Sequence, residues 1–173
     1  FEGIQNPIGR RVAIKVLKPE LVEQRDFRDR FLQEARLTAK LDHPHIVRII
    51  DFIQQGVNYA IVMEFVDGEP LDAYLARQQK PIPLQVLLPY FQQVLDAVGY
   101  AHQASILHRD IKPSNLFITP KGIKLVDFGI ARALDGTDLA LTQTGMQMGS
   151  PLYMSPEQVL GQPTTARTDI YAL

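Results

Sequence analysis

The chain of 173 residues contains no cysteine. This absence excludes disulfide bonds and thiolate metal sites, and it permits a reducing compartment without demonstrating one. No apolar run reaches roughly 18 residues, so no segment is expected to span a bilayer. The formal net charge is only -1 at pH 7, which gives no field that selects nucleic acid or an anionic membrane. A chain that is 46% hydrophobic and 21% charged is ordinary for a globular protein able to bury a core.

The most informative stretch is residues 108–115, which reads His-Arg-Asp-Ile-Lys-Pro-Ser-Asn. Pro113 has no N–H to donate and its φ is fixed, so the segment is expected to be a loop held between apolar anchors. Asp110 could accept a proton from a substrate hydroxyl, Lys112 could neutralise charge on a phosphoryl group, and Asn115 offers an oxygen to a hard cation. Taken alone, the segment is more simply a polar turn. A second carboxylate, Asp127, closes an apolar strand twelve residues later, and this favours the chemical interpretation.

A lysine and a glutamate also lie on apolar faces. Residues 11–18 alternate like a strand, and Lys15 on it is either an edge-strand lysine pointing to water or a paired internal one. Residues 24–41 predict a helix. Glu34 shares one stripe of that helix with Phe27, Phe31, Thr38 and Leu41. A carboxylate on such a stripe is costly unless it is paired, so Glu34 is the candidate partner of Lys15.

Together these motifs resemble those of protein kinases. Residues 108–115 resemble the catalytic loop, Asp127-Phe128-Gly129 the metal-binding turn, and Val12-Ala13-Ile14-Lys15 the strand whose lysine holds the ATP phosphates. The order and spacing match along nearly the whole chain. The resemblance implies ATP and Mg²⁺ as cofactors, Asp110, Lys112 and Asn115 as catalytic residues, and Asn115 with Asp127 as metal ligands.

Further positions follow from the resemblance alone. It implies that Ala13 and Phe117 enclose adenine, which the backbone C=O of Glu64 and N–H of Val66 would bind. Ser150 would hydrogen-bond toward Asp110 and Lys112 in a turn that docks the substrate. Arg109 before the catalytic aspartate accompanies control by activation-loop phosphorylation in this family. The residues assigned to that switch are Thr142 and Thr144 as acceptors, with Arg30 and Arg132 beside Arg109 to meet the phosphate. The alternative is that these arginines are solvated and the threonines merely polar.

The remaining elements are predicted from periodicity and turn signals. We expect strands at 47–52 and 59–65, a short helix at 70–79 and a hairpin around residues 120–122. Residues 84–103 predict a largely buried helix with the apolar positions Leu84, Leu87, Leu88, Phe91, Leu95 and Val98. His43, His45 and His102 are interpreted as structural residues.

The predicted fold class is α+β, with a bilobal protein-kinase-like architecture truncated at both ends. Residues 1–66 would form part of an N-terminal lobe with a small antiparallel sheet and one helix. Residues 67–173 would form part of a mostly helical C-terminal lobe with the catalytic loop and activation segment. By resemblance, a Gly-rich loop should precede Phe1 and further helices should follow Leu173. We therefore expect the first sheet to lack two strands and this piece to be inactive alone.

The predicted function is a Ser/Thr protein kinase that transfers the ATP γ-phosphate to a protein hydroxyl. Lys112, two residues after Asp110, favours Ser/Thr over Tyr specificity. The local sequences around Ser155 and Thr168 resemble those of bacterial kinases. The alternatives are a pseudokinase scaffold and a small-molecule phosphotransferase. The expected partners are ATP and a protein substrate with Ser or Thr, without nucleic acid and with no membrane contact in this stretch. The kinase unit is expected to be cytoplasmic, while an anchor elsewhere in the parent protein stays open.

Overall fold

The computed structural model describes residues 1–17, 22, 25–128 and 151–173, without the side chains at 25–27, 30, 34 and 151. The strands are β1 (Glu2–Gln5), β2 (Arg10–Val16), β3 (Ile49–Gln55), β4 (Asn58–Glu64), β5 (Glu69–Pro70), β6 (Leu116–Thr119) and β7 (Gly122–Leu125). The α-helices are α1 (Arg25–Thr38), α2 (Leu71–Ala76), α3 (Leu84–Gln103), α4 (Pro156–Val159) and α5 (Ala166–Ala172). Single 3₁₀ turns occur at Pro113–Asn115 and Pro151–Tyr153. This mixture confirms the predicted α+β class.

The first sheet is antiparallel and has the strand order β1-β2-β4-β3. Strand β2 lies in the interior of this sheet, because Lys15 faces Ile61 on β4 while Glu2 on β1 faces Ala13. Lys15 is therefore not on an edge strand, and the edge-strand alternative is wrong. Strand β1 was not predicted. The expectation that the first sheet lacks two strands did not count it. Gly3 within it weakens the local strand signal, because glycine has no side chain to pack.

The second sheet is small and lies against α3. Its order is β5-β6-β7, with Leu116 opposite Leu125 and Thr119 opposite Gly122. The predicted hairpin is confirmed, because the chain reverses at residues 120–121 between β6 and β7. Gly122 adopts a φ of 112°, which a residue with a Cβ rarely adopts. The hairpin places the residues that follow β7, including Asp127, directly beside the catalytic loop.

Two hydrophobic cores hold these sheets. The first core joins the first sheet to α1 and is centred on Phe31 and Ile61, both 0% exposed. The second core joins α3 to the second sheet and includes Val94, Leu125 and Phe128. Burying each of these large side chains contributes about 1.5–3 kcal/mol. Leu41 and Ile46 belong to the second core, so the chain passes from one core to the other before residue 47.

Helix α3 has the predicted bounds, but most of the apolar positions predicted for it are not buried in the described structure. Leu84, Leu88, Phe91 and Leu95 are each more than 40% exposed. The buried residues are Val94, Ala97, Val98 and Ala101, so Val98 is the only confirmed member that is fully buried. Apolar side chains occur all round this helix, and periodicity therefore could not select the face. The smaller side chains face the second core, which allows the helix to approach the sheet closely.

The predicted apolar stripe is confirmed where its side chains are described, although α1 ends at Thr38 and Leu41 lies beyond it. Phe31, Thr38 and Leu41 are 0%, 2% and 3% exposed. Thr38 is unusual among the described residues because its buried hydroxyl has no hydrogen-bond partner there. A buried polar group without a partner costs about 1–3 kcal/mol.

In the part of the chain that the structure describes, no helix is long and apolar enough to cross a membrane.

We predict that the substitution of threonine by valine changes the free energy of unfolding in opposite directions at two buried positions. Thr38→Val removes the unpartnered hydroxyl at nearly constant volume, so we expect the free energy of unfolding to rise by up to about 1 kcal/mol. Thr168→Val should lower it by about 1–3 kcal/mol, because the Thr168 hydroxyl donates to Glu157 at 2.6 Å and accepts from the Thr165 N–H at 3.1 Å. Urea unfolding of both variants checks the pair, and destabilisation by Thr38→Val equal to that of Thr168→Val would contradict it.

Candidate active site

The loop between α3 and β6 carries the predicted catalytic residues. Ile106 and Ile111 are 5% and 2% exposed and anchor it in the second core. Pro113 begins a single 3₁₀ turn that ends at Asn115, as expected for a residue that cannot continue a hydrogen-bonded ladder. The polar side chains at 110, 112 and 115 are thus presented from a backbone with apolar anchors on both sides of Asp110.

The structure brings Asp110, Lys112 and Asn115 into direct contact. The Lys112 Nζ lies 2.8 Å from the Asp110 Oδ2. The Asn115 Nδ2 donates to the same oxygen at 2.9 Å and to the Asp110 backbone oxygen at 2.7 Å. Both side chains of the salt bridge are about one quarter exposed, at 21% and 26%. One carboxylate is therefore held by two flanking groups and still reaches solvent.

A carboxylate from α5 fixes the backbone just before Asp110. Asp169 is 1% exposed. Its Oδ1 accepts the N–H of Arg109 at 2.6 Å, and its Oδ2 accepts the N–H of His108 at 2.9 Å. The His102 Nε2 lies 2.7 Å from Oδ2, which agrees with a structural role for this histidine. Arg109 adopts a φ of 64°, a strained region for a residue with a side chain, and the buried carboxylate holds it there.

His108 is a second buried link in this loop. Its Nδ1 accepts the N–H of Asp110 at 3.2 Å, so the ring proton resides on Nε2, which donates to the Val126 oxygen at 2.9 Å. The ring also packs on Phe128 with centroids 4.6 Å apart. Complete burial lowers the pKa of His108 below its ordinary value, although the Val126 carbonyl and nearby carboxylates oppose this effect. His108 is therefore a neutral structural residue.

Lys15 of β2 contacts Asp127, which follows β7. The Lys15 Nζ donates to the Asp127 Oδ1 at 3.0 Å. Asp127 also adopts a left-handed backbone conformation, with a φ of 61°. Such strain in a non-glycine residue typically marks a functional site. The helix that carries Glu34 is present, but the side chain of Glu34 lies outside the described part of the structure, so its pairing with Lys15 stays a prediction.

The residues assigned to adenine lie on or just after strands β2, β4 and β6. Ala13 is on β2 and Phe117 on β6, both half-buried, while Glu64 ends β4 and Val66 follows it. Sequence reasoning missed what the Glu64 side chain does. Its Oε1 binds the Lys124 Nζ of β7 at 2.5 Å and accepts the Arg48 N–H at 2.9 Å. The only sequence signal for the contact between Glu64 and Lys124 was that the two residues carry opposite charges on two separate strands.

A short segment around α4 contacts the catalytic loop and α5, and sequence reasoning missed these polar contacts too. The Thr168 hydroxyl donates to Glu157, and this hydrogen bond lowers the pKa of that carboxyl. Gln158 is 4% exposed, and its Nε2 donates to the Arg109 oxygen at 2.8 Å. The segment is therefore bonded both to α5 and to the catalytic loop.

Arg132, Thr142, Thr144 and Ser150 lie outside the described residues, and the same holds for the side chain of Arg30. Arg109, the remaining member of the predicted phosphate switch, lies in the catalytic loop.

The buried carboxylate of Asp169 yields the first prediction from this geometry. Asp169→Asn replaces one acceptor oxygen by an amide, so one buried backbone N–H of the loop loses its partner. We expect the free energy of unfolding to fall by about 1–3 kcal/mol and amide exchange at His108 and Arg109 to accelerate. The matched control is Asp96→Asn, because Asp96 also contacts a histidine, His43 at 3.1 Å, but its side chain is 73% exposed. Equal behaviour of the two variants would show that the anchor is unimportant.

The lowered pKa of His108 predicts a pH dependence of stability. The unfolded chain binds the proton more readily than the folded one, so the contribution of His108 is complete above the ordinary pKa of 6.5. It is lost progressively as the pH falls below that value toward the folded-state pKa. Nitrogen NMR of the ring should show a neutral Nε2–H tautomer at pH 6.5 in the folded protein. A protonated ring at that pH would refute the assignment.

Comparisons with known proteins agree with the motifs and the geometry. A model of the protein kinase domain matches residues 1–173. The serine/threonine-protein kinase PknA of Mycobacterium tuberculosis is 43% identical over 179 residues, which cover 100% of this chain and 41% of that protein. The serine/threonine-protein kinase PrkC of Bacillus subtilis is 42% identical over 167 residues, which cover 96% of this chain and 25% of that protein. The chain thus spans less than half the length of either relative.

A solved structure shows the same fold. The kinase domain of Mycobacterium tuberculosis PknI superposes with a TM-score of 0.77 at 33% identity, over 97% of this chain and 61% of that one. The bilobal architecture expected from the sequence is thereby confirmed. With a family match over every residue and a catalytic loop assembled as the motifs predict, the chain belongs to the protein kinase family.

Proposed function

We propose that the protein containing this chain is a Ser/Thr protein kinase that transfers the γ-phosphate of ATP to a protein hydroxyl. The observation that supports this most is the Asp110 carboxylate, bonded to both Lys112 and Asn115 and still partly exposed. A base that accepts a hydroxyl proton must be reachable by substrate and held in one direction. The relatives PknA and PrkC carry the name serine/threonine-protein kinase, which supports the same substrate class.

In this proposal each side chain has a distinct role. Asp110 orients the attacking hydroxyl and takes its proton, while Lys112 stabilises the negative charge on the transferred phosphoryl group. Lys15 binds the ATP phosphates from the first sheet. The Lys15–Asp127 contact of 3.0 Å is, in this proposal, the arrangement that the nucleotide opens when it enters between them. Adenine binds between Ala13 and Phe117 and meets the backbone at Glu64 and Val66.

The site suits Mg²⁺, which would stabilise the negative charge of the phosphates when bound. Asn115 directs its amide nitrogen to two oxygens of Asp110, so its Oδ1 is the atom that can bind a cation. Asp127 supplies a carboxylate, and both are the hard oxygen ligands that Mg²⁺ prefers. Among the described residues no group of three or more metal-ligating side chains occurs. The remaining ligands would come from the nucleotide and water.

The lobes, location and control of the kinase are also proposals. We place the boundary between the lobes at residues 66 and 67, supported by the end of β4 at Glu64 and the start of the second sheet at Glu69. The kinase unit would act in the cytoplasm, where ATP is available. Phosphorylation at Thr142 or Thr144 would act through Arg109, with Arg30 and Arg132 as the further cations.

Substitutions at the two aspartates distinguish the proposed roles in the full-length protein. Asp110→Asn should lower kcat by about 100-fold or more, because proton transfer is lost, while ATP affinity is retained. Asp127→Asn should weaken Mg²⁺-dependent nucleotide binding in addition. Steady-state phosphorylation of a Ser-containing peptide and calorimetric nucleotide titration measure the two effects.

The exposed Asp42→Asn variant is the control for charge and overall folding. Wild-type protein that binds ATP but phosphorylates no protein or peptide would favour the pseudokinase alternative. Phosphorylation of small molecules but not of peptides would favour the small-molecule phosphotransferase. Near wild-type turnover in Asp110→Asn would refute the assignment of the base.

A further inference from the structure

Gln158 uses the two ends of its amide for two different tasks. It lies in α4 and is 4% exposed. Its Oε1 accepts the N–H of Ser155 at 3.0 Å, which caps its own short helix. Its Nε2 donates to the backbone oxygen of Arg109 at 2.8 Å, in a loop 49 residues away in sequence. A helix cap needs only the first contact, so the second one calls for a separate explanation.

The carbonyl that Gln158 binds belongs to the peptide between Arg109 and Asp110. Arg109 has a φ of 64°, and its N–H donates to Asp169 at 2.6 Å. The two polar groups of the Arg109 backbone are therefore both fixed by buried side chains, one from α5 and one from α4. The orientation of this peptide sets the direction in which the backbone enters Asp110. The N–H of the same peptide donates to the His108 Nδ1 at 3.2 Å, so Gln158 and His108 hold its two ends. The Lys112 and Asn115 contacts to the Asp110 carboxylate act on atoms beyond this peptide.

We propose that Gln158 is a positioning residue that orients the Asp110 carboxylate through the Arg109 carbonyl. It also links α4, which directly follows the segment assigned to substrate docking, to the residue that activates the substrate hydroxyl. The inference rests on the proposed kinase function. It extends that function by adding a side chain that touches neither nucleotide nor hydroxyl and still controls turnover.

Two substitutions in the full-length enzyme separate the positioning role from the cap. Gln158→Glu keeps an oxygen for the Ser155 N–H but replaces the donor by a second acceptor that faces the Arg109 carbonyl. Gln158→Met removes both contacts at similar length and without charge. The matched control is Gln162→Glu, which makes the same charge change at an exposed position four residues later. We expect kcat to fall by at least about ten-fold in both Gln158 variants, since small misplacements of a reacting group are costly. KM for ATP should stay that of wild type.

The pH profile gives a readout that a merely structural role would not produce. A protonated carboxyl group can donate a hydrogen bond, and burial favours the protonated form. The kcat of Gln158→Glu relative to that of Gln158→Met should therefore rise as the pH falls from about 8 to about 6. If the buried charge unfolds Gln158→Glu at the higher pH, the kcat of folded Gln158→Met decides the question.

The possible outcomes are distinct. A kcat in both Gln158 variants equal to that of Gln162→Glu overturns the proposal, and so does a parallel loss of kcat and ATP binding that follows thermal stability alone. If the wild-type enzyme transfers no phosphate to any protein, the proposed function fails instead. Positioning is then judged by amide hydrogen exchange in the peptide of residues 106–111. Faster exchange in Gln158→Met than in Gln162→Glu supports it, and equal exchange overturns it.

Discussion

A single buried carboxylate supports the geometry of the active site. Asp169 on α5 accepts the backbone N–H groups of His108 and Arg109 and contacts His102. A buried carboxylate is costly unless several donors satisfy it, and these donors come from the catalytic loop and from the end of α3. The hydrogen bonds to Asp169 therefore offset both the cost of burying its charge and the cost of the strained Arg109 backbone. Without that anchor, nothing described on α5 would hold the backbone that leads into Asp110.

The second organising feature is the way Asp127 is placed between the two cores. Val126 packs against the first core, whereas Phe128 is buried in the second. Asp127 between them has a left-handed backbone and points its carboxylate at Lys15 of the first sheet. The first sheet and the turn after the second sheet thus contribute one charge each to this contact. Any shift of one core against the other is expected to change the Lys15–Asp127 distance directly.

Much of this arrangement could be predicted from the sequence, because it depends on residue type at fixed spacing. The loop at residues 108–115, the bounds of α3 and the stripe on α1 are examples. The buried face of α3 could not be predicted, since Leu95 and Val98 are equally apolar and only the neighbouring sheet distinguishes them. Contacts such as Glu64 with Lys124 and Gln158 with Arg109 join residues 49 or more positions apart. A single sequence holds no local signal for them.

The backbone of Val126 has a consequence for how the sequence can vary. Its N–H donates to the Asn115 oxygen at 2.9 Å, and its oxygen accepts from the His108 ring at 2.9 Å. Every amino acid except proline has both groups, so the register of the Asp127 turn against the catalytic loop does not depend on the side chain at 126. Another apolar residue at this position that suits the packing of the first core is therefore expected to leave Asp127 in place.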